Sequence, residues 1–185
     1  MQRLYVESDL PVDAATAWQL FDSPTFRERL DARARLHTEV VDEHSEGAVV
    51  RRTLRIRSLK ELPGIAARAL GTRYLTYDMS TRFDPARSRL EWSVRLPVLT
   101  DRVSVSGATR IEDRPHGSCR IVEGEVEIRL PVIGGRCERI VVSEFQRSMG
   151  AASTVARELI LEARGDRQGP AAPSPAGARS GGSEA

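Results

Sequence analysis

Residues 131–164, PVIGGRCERIVVSEFQRSMGAASTVARELILEAR, form the longest stretch of helical periodicity in the chain. Apolar side chains recur there at steps of three and four, which is typical of one amphipathic helix. They are Ile133, Cys137, Ile140, Val141, Phe145, Met149, Ala152, Val155, Ala156, Leu159, Ile160 and Ala163. Such a helix would be roughly 45 Å long. Because that exceeds what packing in a small domain requires, a curved surface is expected to cover its apolar side.

The residues before this helix predict an antiparallel sheet. Alternating apolar and polar residues, typical of strands with one buried face, occupy residues 3–10, 36–44, 48–58, 73–83, 88–96, 102–112 and 122–130. Two short helices are expected after the first strand, one capped by Asp13 and one by Ser23, with Pro24 in its first turn. The prediction is an α+β helix-grip fold, in which the sheet wraps around the C-terminal helix.

The alternation also predicts which side chains face the helix. The inward sheet residues are Leu75, Tyr77, Met79, Trp92, Val94, Val105, Val126 and Ile128, and they face Phe145 and Met149 on the helix. Small residues between Ser148 and Ser153 would leave room beside them. The pattern is compatible with a solid core and also with a ligand cavity of about 300–1,000 Å³.

The segment 59–72 interrupts the strand series with an apolar insertion. Its gate residues are Leu62, Pro63, Ile65 and Leu70. Two interpretations stay open, a plug that closes one end of the sheet and a lid over a cavity. In the second, Lys60, Arg68 or Arg73 would meet an anionic headgroup near the lid.

Composition bounds the class of protein. With 28 basic and 26 acidic residues in 185, the net charge of +2 argues against a nucleic-acid surface. The N-terminus shows no signal-peptide core and no run is apolar enough to span a membrane, so a cytoplasmic protein is expected. Residues 1–164 are interpreted as one domain. Residues 165–185 are rich in Pro, Gly, Ala and Ser and are predicted to be a disordered tail.

Few residues suggest catalysis or metal binding. His37, His44 and His116 lack the spacing of a metal site, so no metal and no cofactor are expected. Cys119 would be a nucleophile only with a lowered pKa, and Cys137 belongs to the apolar stripe of the helix. Arg51, Arg55 and Arg57 share one strand face, typical of a solvated surface or, less often, of a site for an acidic partner.

Four segments resemble a known superfamily. They are VESDLPVDAATAWQLFDSPTFRERL (6–30), ELPGIAARALG (61–71), RVSVSGATRIEDR (102–114) and CRIVEGEVEIRLPVIGGRCERIV (119–141). The order of elements and the first segment resemble the START-like (SRPBCC) superfamily, and the other three resemble a bacterial START-like family of unknown function. They are also similar to PRELI-type phospholipid-transfer domains, and that resemblance implies a phospholipid cavity with a lid at 59–72.

The resulting hypothesis is a non-enzymatic binder or carrier of a hydrophobic small molecule or lipid, compatible with transient membrane contact. Two alternatives remain. One is an enzyme similar to aromatase/cyclases, in which Tyr77, Asp78 or Arg82 lines the pocket. The other is a filled-core interaction module that uses the arginine strand. The oligomeric state is left open.

Overall fold

In the computed structural model, which describes residues 1–64, 67–68, 71–97, 101–131 and 134–167, seven strands form one curved antiparallel sheet. The strands are β1 (Gln2–Leu10), β2 (Leu36–Glu46), β3 (Val49–Glu61), β4 (Tyr74–Asp84), β5 (Arg89–Arg95), β6 (Val103–Arg114) and β7 (Gly117–Ile128). Their spatial order is β1-β7-β6-β5-β4-β3-β2. The helices are α1 (Ala14–Asp22), α2 (Pro24–Ala34) and α3 (Gly134–Arg167), and a 3₁₀ turn covers Pro85–Arg87. The helix-grip prediction is confirmed.

Several element boundaries differ from the sequence-based expectation, among them the end of β3, which extends to Glu61 and not to residue 58. β7 begins at Gly117, so its alternation starts before the predicted first inward residue Val122. The long helix begins at Gly134 and continues to Arg167, three residues beyond the domain boundary predicted at residue 164. Residues 168–185, the rest of the predicted tail, lie outside the described residues.

Side-chain caps hold the two short helices against the sheet. Asp13 caps α1 by accepting a hydrogen bond from the Thr16 amide at 2.8 Å, as the sequence predicts. Asp113 of β6 accepts another from the Ala14 amide at 2.7 Å, which ties the same helix to the sheet. Ser23 ends α1 and caps α2.

The buried apolar side chains form two clusters along α3. The first surrounds the C-terminal half of α3 and includes Ala17 of α1, Phe26 of α2 and Ile160. The second lies between the sheet and the N-terminal half of α3, and its buried members are Leu4, Trp92, Val105, Val122, Val126 and Ile128. The short helices therefore close one end of the sheet, and α3 covers the other half alone.

Glu138 fixes the first turn of α3 to the end of β7. Its side chain is 6% exposed and accepts a hydrogen bond from the Ile128 amide at 2.9 Å, and the N-terminal ammonium of Met1 lies within 2.9 Å as well. The Ile128 hydrogen bond and the ammonium both lower the pKa of this carboxyl. The start of α3 is thus held at a fixed distance from the sheet, which sets the width of the space between them.

Candidate functional site

Half-buried apolar side chains lie on the concave face of the sheet and on the N-terminal half of α3. The strand register aligns Leu54 of β3 with Met79 of β4, and Met79 in turn with Val94 of β5. These three side chains are half-buried, as are Phe145 and Met149 on the helix. We use the name trough for Leu54, Ile56, Tyr77, Met79, Val94, Phe145 and Met149. Partly accessible apolar side chains that face one another are typical of a site for an apolar ligand.

Stacked aromatic rings form the floor of the trough. The indole of Trp92 stacks on Phe145 with ring centroids 4.9 Å apart, and Trp92 is 5% exposed. The indole lies over Gly107 and Gly124, where a Cβ atom would come within 2.5 Å and 2.7 Å of the ring. Trp92 therefore occupies a recess in the sheet that only glycine permits. At this level, the space between sheet and helix is filled.

The structure brings most of the predicted site residues together. Eight of the ten pack in the second cluster, namely Met79, Trp92, Val94, Val105, Val126, Ile128, Phe145 and Met149. Leu75 and Tyr77 are half-buried on the same face of β4 as Met79. Burial raises the pKa of the Tyr77 hydroxyl to about 12, so it stays protonated at neutral pH. Their role in ligand binding stays a prediction.

Two surface hollows lie away from the trough. One of about 360 Å³ is lined by Arg29, Ala32, Arg33, Val155 and Glu158 between α2 and α3. The other, of about 220 Å³, is lined by Thr53, Asp78, Ser80 and Arg95 on the convex face of the sheet. In both, charged side chains make ion pairs within the chain, Arg33 with Glu158 in the first and Asp78 with Arg55 in the second. Neither hollow is the predicted ligand cavity.

The structure describes two of the four predicted gate residues, Leu62 and Pro63. Leu62 is half-buried and its amide donates a hydrogen bond to the Arg73 carbonyl at 2.8 Å, while Pro63 is exposed and starts a helical turn. Ile65 and Leu70 lie outside the described residues. Arg73 pairs with Glu61 at 2.6 Å. The choice between lid and plug therefore remains a prediction.

The three residues named for the enzyme alternative do not share one face of the sheet, and that alternative stays a prediction. Tyr77 lies on the concave face, whereas Asp78 and Arg82 lie on the convex face because neighbouring side chains of a strand alternate. Asp78 accepts two hydrogen bonds from Arg55, at 2.9 and 3.2 Å. Arg82 lies 3.7 Å from Glu91. These charges neutralise one another on the outside of the sheet.

Two of the three arginines on the arginine strand make ion pairs within the chain. Arg55 pairs with Asp78, and Arg51 bonds Glu46 at 3.2 Å. Because carboxylates of the same chain already occupy these guanidinium groups, the interpretation as a solvated surface is favoured over a partner site.

A polar residue that the sequence interpretation missed lies inside the concave face. Arg120 of β7 lies opposite Ser8 of β1 and Ile111 of β6, and it is 9% exposed. Its guanidinium lies 4.6 Å from the ring centroid of Phe21, and one nitrogen donates to the Met149 sulfur at 3.2 Å. Burial lowers its pKa to about 10. The alternation of β7, continued two residues before Val122, already places this arginine inward.

Cys119 is a buried, unreactive thiol. Its sulfur donates a hydrogen bond to Glu7 at 3.2 Å, and burial first, then that bond, raises its pKa to about 11. In a Cys137→Ser variant, we expect the native protein to react with iodoacetamide at pH 8 about a hundred-fold more slowly than the urea-unfolded protein, because the thiolate fraction falls with the pKa. Equal rates in the two states would contradict this assignment.

Other chemical sites are sparse in the described part of the chain. Both cysteines are free, and His37, His44 and His116 are exposed. Within residues 1–64, 67–68, 71–97, 101–131 and 134–167, no three His, Cys, Asp or Glu side chains are grouped to hold a metal ion. The helices in those ranges include none with the length and apolar character to cross a membrane.

Comparison with known proteins finds one matching family model and solved structures with a similar fold. A family model described as "Protein of unknown function (DUF2505)" matches residues 6–160. No curated protein matches. Among solved structures, TTHA0849 from Thermus thermophilus is similar at a TM-score of 0.62 and 17% identity, covering 88% of this chain and 99% of that one.

Two further structures are similar at low identity. A START superfamily protein from Mycobacterium smegmatis has a TM-score of 0.53 at 12% identity, covering 85% of this chain and 98% of that one. The di-domain ARO/CYC StfQ of the steffimycin biosynthetic pathway has a TM-score of 0.61 at 12% identity, and the match covers 88% of this chain and 51% of StfQ. At these identities the similarity shows a shared fold.

Proposed function

We propose, on the premise that the chain belongs to the family described as "Protein of unknown function (DUF2505)", that it binds a hydrophobic small molecule or lipid in the trough. The observation that carries the proposal is the partial exposure of facing apolar side chains on β3, β4, β5 and α3. Water contact at such side chains is unfavourable by about 25 cal/mol per Å². A ligand that covers them recovers this free energy.

The packing of α3 supports a ligand site beside it. The helix packs most closely on β1, β7 and α2, at one edge of the sheet. The opposite strands carry inward apolar residues that stay more open, including Val40 of β2 at 37% exposure. Met79 and Met149 line the trough with flexible thioether side chains that adapt to ligands of different shape. The same fold in the START superfamily protein and in the ARO/CYC StfQ adds a precedent for function on this scaffold.

The proposal predicts a saturable complex with an uncharged long-chain probe. In a Trp18→Phe variant, Trp92 is the only tryptophan and reports directly from the floor of the trough. We expect delipidated protein to bind one oleyl alcohol per chain, seen as a saturating change in Trp92 emission and as an adduct in native mass spectrometry. Met79→Glu places a charge in the trough and should weaken binding at least ten-fold, about 1.4 kcal/mol.

Leu161→Glu is the matched control. Leu161 is 63% exposed on α3, so a carboxylate there leaves the trough unchanged and should leave oleyl alcohol affinity unchanged. Absence of uptake of oleyl alcohol, oleate and a phospholipid probe by the wild-type protein would overturn the proposal. Equal weakening by both variants would place the binding site outside the trough.

A further inference from the structure

Arg120 is a buried cation whose guanidinium has no carboxylate partner in the described part of the chain. Its Nη2 donates to the Met149 sulfur, a weak acceptor, and its Nη1 has no hydrogen-bond partner among the described residues. The nearby Ser118 hydroxyl, on the same face of β7, is 1% exposed and equally unpartnered there. Because an unpaired buried charge is costly, its presence needs a physical explanation.

Arg52 lies on the same concave face and, unlike Arg120, is neutralised by carboxylates of the chain. Arg52 of β3 also points to the concave side, and its side chain is 18% exposed. Two carboxylates neutralise it, Asp22 at 2.6 Å and Glu43 at 2.5 Å. Arg120 is more deeply buried than Arg52, yet a thioether and an aromatic ring are its neighbours. The site around Arg120 therefore lacks the negative charge that a guanidinium attracts.

Arg120 adjoins the trough through Met149. The Met149 side chain touches the guanidinium and also packs in the cluster that contains Trp92 and Phe145. Its three rotatable bonds allow it to move aside without a change in the helix backbone. On the β1 side its neighbour is small, since Ser8 lies opposite Arg120 and accepts a hydrogen bond from Ser153 at 2.8 Å. An anionic group at the place of Met149 would be continuous with an apolar chain in the trough.

We propose that Arg120 anchors the anionic end, a carboxylate or a phosphate, of an amphiphilic ligand whose apolar part lies in the trough. This inference rests on the proposed function, and it names the chemistry of the ligand. An oxyanion would accept two parallel N–H hydrogen bonds from the guanidinium, the geometry that arginine provides for carboxylates and phosphates. Met149 occupies that position in the ligand-free protein.

Two pairs of probes test the inference and separate the two sources of anion. The two members of each pair have the same hydrocarbon chain and differ in charge. The first pair is oleate and oleyl alcohol, and the second is 1-oleoylglycerol 3-phosphate and 1-oleoylglycerol. Affinities are measured below the critical micelle concentrations by Trp92 emission in the Trp18→Phe background. We expect at least one anionic probe to bind ten-fold or more tightly than its neutral partner, and the preferred pair identifies a carboxylate or a phosphate.

The variant Arg120→Met distinguishes failure of this inference from failure of the proposed function. It should remove the preference for the anion while oleyl alcohol affinity stays within about two-fold, because the trough is intact. Equal affinities within both wild-type pairs, or a preference that survives in Arg120→Met, would overturn the anchor and leave the proposed function standing. If all four probes fail to bind, both proposals are overturned.

A second pair of variants keeps the test valid should Arg120→Met fold poorly. Met149→Glu places a carboxylate within reach of Arg120, and Met149→Gln has the same shape without the charge. Because Met149 is itself a trough residue, the readout is the ratio of anionic-probe affinity to oleyl alcohol affinity. We expect this ratio to be at least ten-fold lower in Met149→Glu than in Met149→Gln, with a higher Tm for Met149→Glu. Equal ratios in the two variants would contradict an anion site at Arg120.

Discussion

Gly107→Ala is expected to lower the free energy of unfolding by about 4 kcal/mol or more, a large part of the ~5–15 kcal/mol typical of a domain. A Cβ atom at this position would lie 2.1 Å from the Glu123 carbonyl oxygen and 2.5 Å from the Trp92 ring. The ring can rotate away at some cost, but the carbonyl belongs to the backbone of β7. Strands β6 and β7 would therefore have to separate. Urea unfolding followed by circular dichroism measures the effect.

Gly150→Ala provides the matched control. Gly150 is exposed on α3, and a Cβ atom there would meet nothing within 4 Å. Alanine should raise stability by roughly 0.5–1 kcal/mol, since glycine weakens a helix interior. Adding Trp92→Phe to Gly107→Ala separates the two contacts. Full recovery of stability in the double variant would show that the ring, and not the backbone carbonyl, causes the loss.

Local signals in the sequence account for much of the fold. The period of two in β4 and β5 predicts the concave positions of Met79 and Val94, and Asp13 and Ser23 cap the helices where expected. These features depend on neighbours within a few residues. The position of Trp92 over Gly107 and Gly124 depends on the pairing of three strands. The sequence suggests only bends at these glycines, because the partner of a strand is not encoded locally.

The candidate site was less predictable than the fold for the same reason. Tyr77 and Asp78 are adjacent in sequence, but adjacency in a strand sends them to opposite faces. Arg120 precedes the apolar alternation that begins at Val122, so the alternation alone does not mark it as a site residue. Its significance follows from what surrounds it, a ring from α1 and a sulfur from α3. Such contacts join residues that are distant along the chain.

The buried apolar residues beside the trough and the buried Arg120 have opposite effects on the stability of the fold. Trp92, Val105 and Val126 bury apolar area and hold the sheet to α3. Arg120 instead places a charge in the same interior, and burial lowers its pKa from its ordinary value to about 10. A shift of this size corresponds to a penalty of roughly 3 kcal/mol at neutral pH. Destabilising groups of this kind are retained where function needs them.

Arg120→Met is therefore expected to stabilise the ligand-free protein by about 1–3 kcal/mol, because an apolar side chain of similar length replaces an unpaired buried charge. The stabilisation expected from Arg120→Met depends on pH. Between about pH 10 and pH 12 the unfolded wild-type chain binds more protons than the folded one, so wild-type stability should rise with pH and the difference from the variant should shrink. Urea unfolding at pH 7 and pH 10.5 measures both effects.

Arg52→Met is the control, with the opposite sign. It removes a guanidinium that bonds Asp22 and Glu43, so we expect a loss of about 1 kcal/mol. Destabilisation of several kcal/mol by Arg120→Met would show that the arginine supports the fold through Phe21 and Met149, and the reason to expect an anionic ligand would be lost. If Arg120→Met stabilises the protein without ligand and also abolishes anion binding, then Arg120 lowers the stability of the fold and is needed for ligand binding.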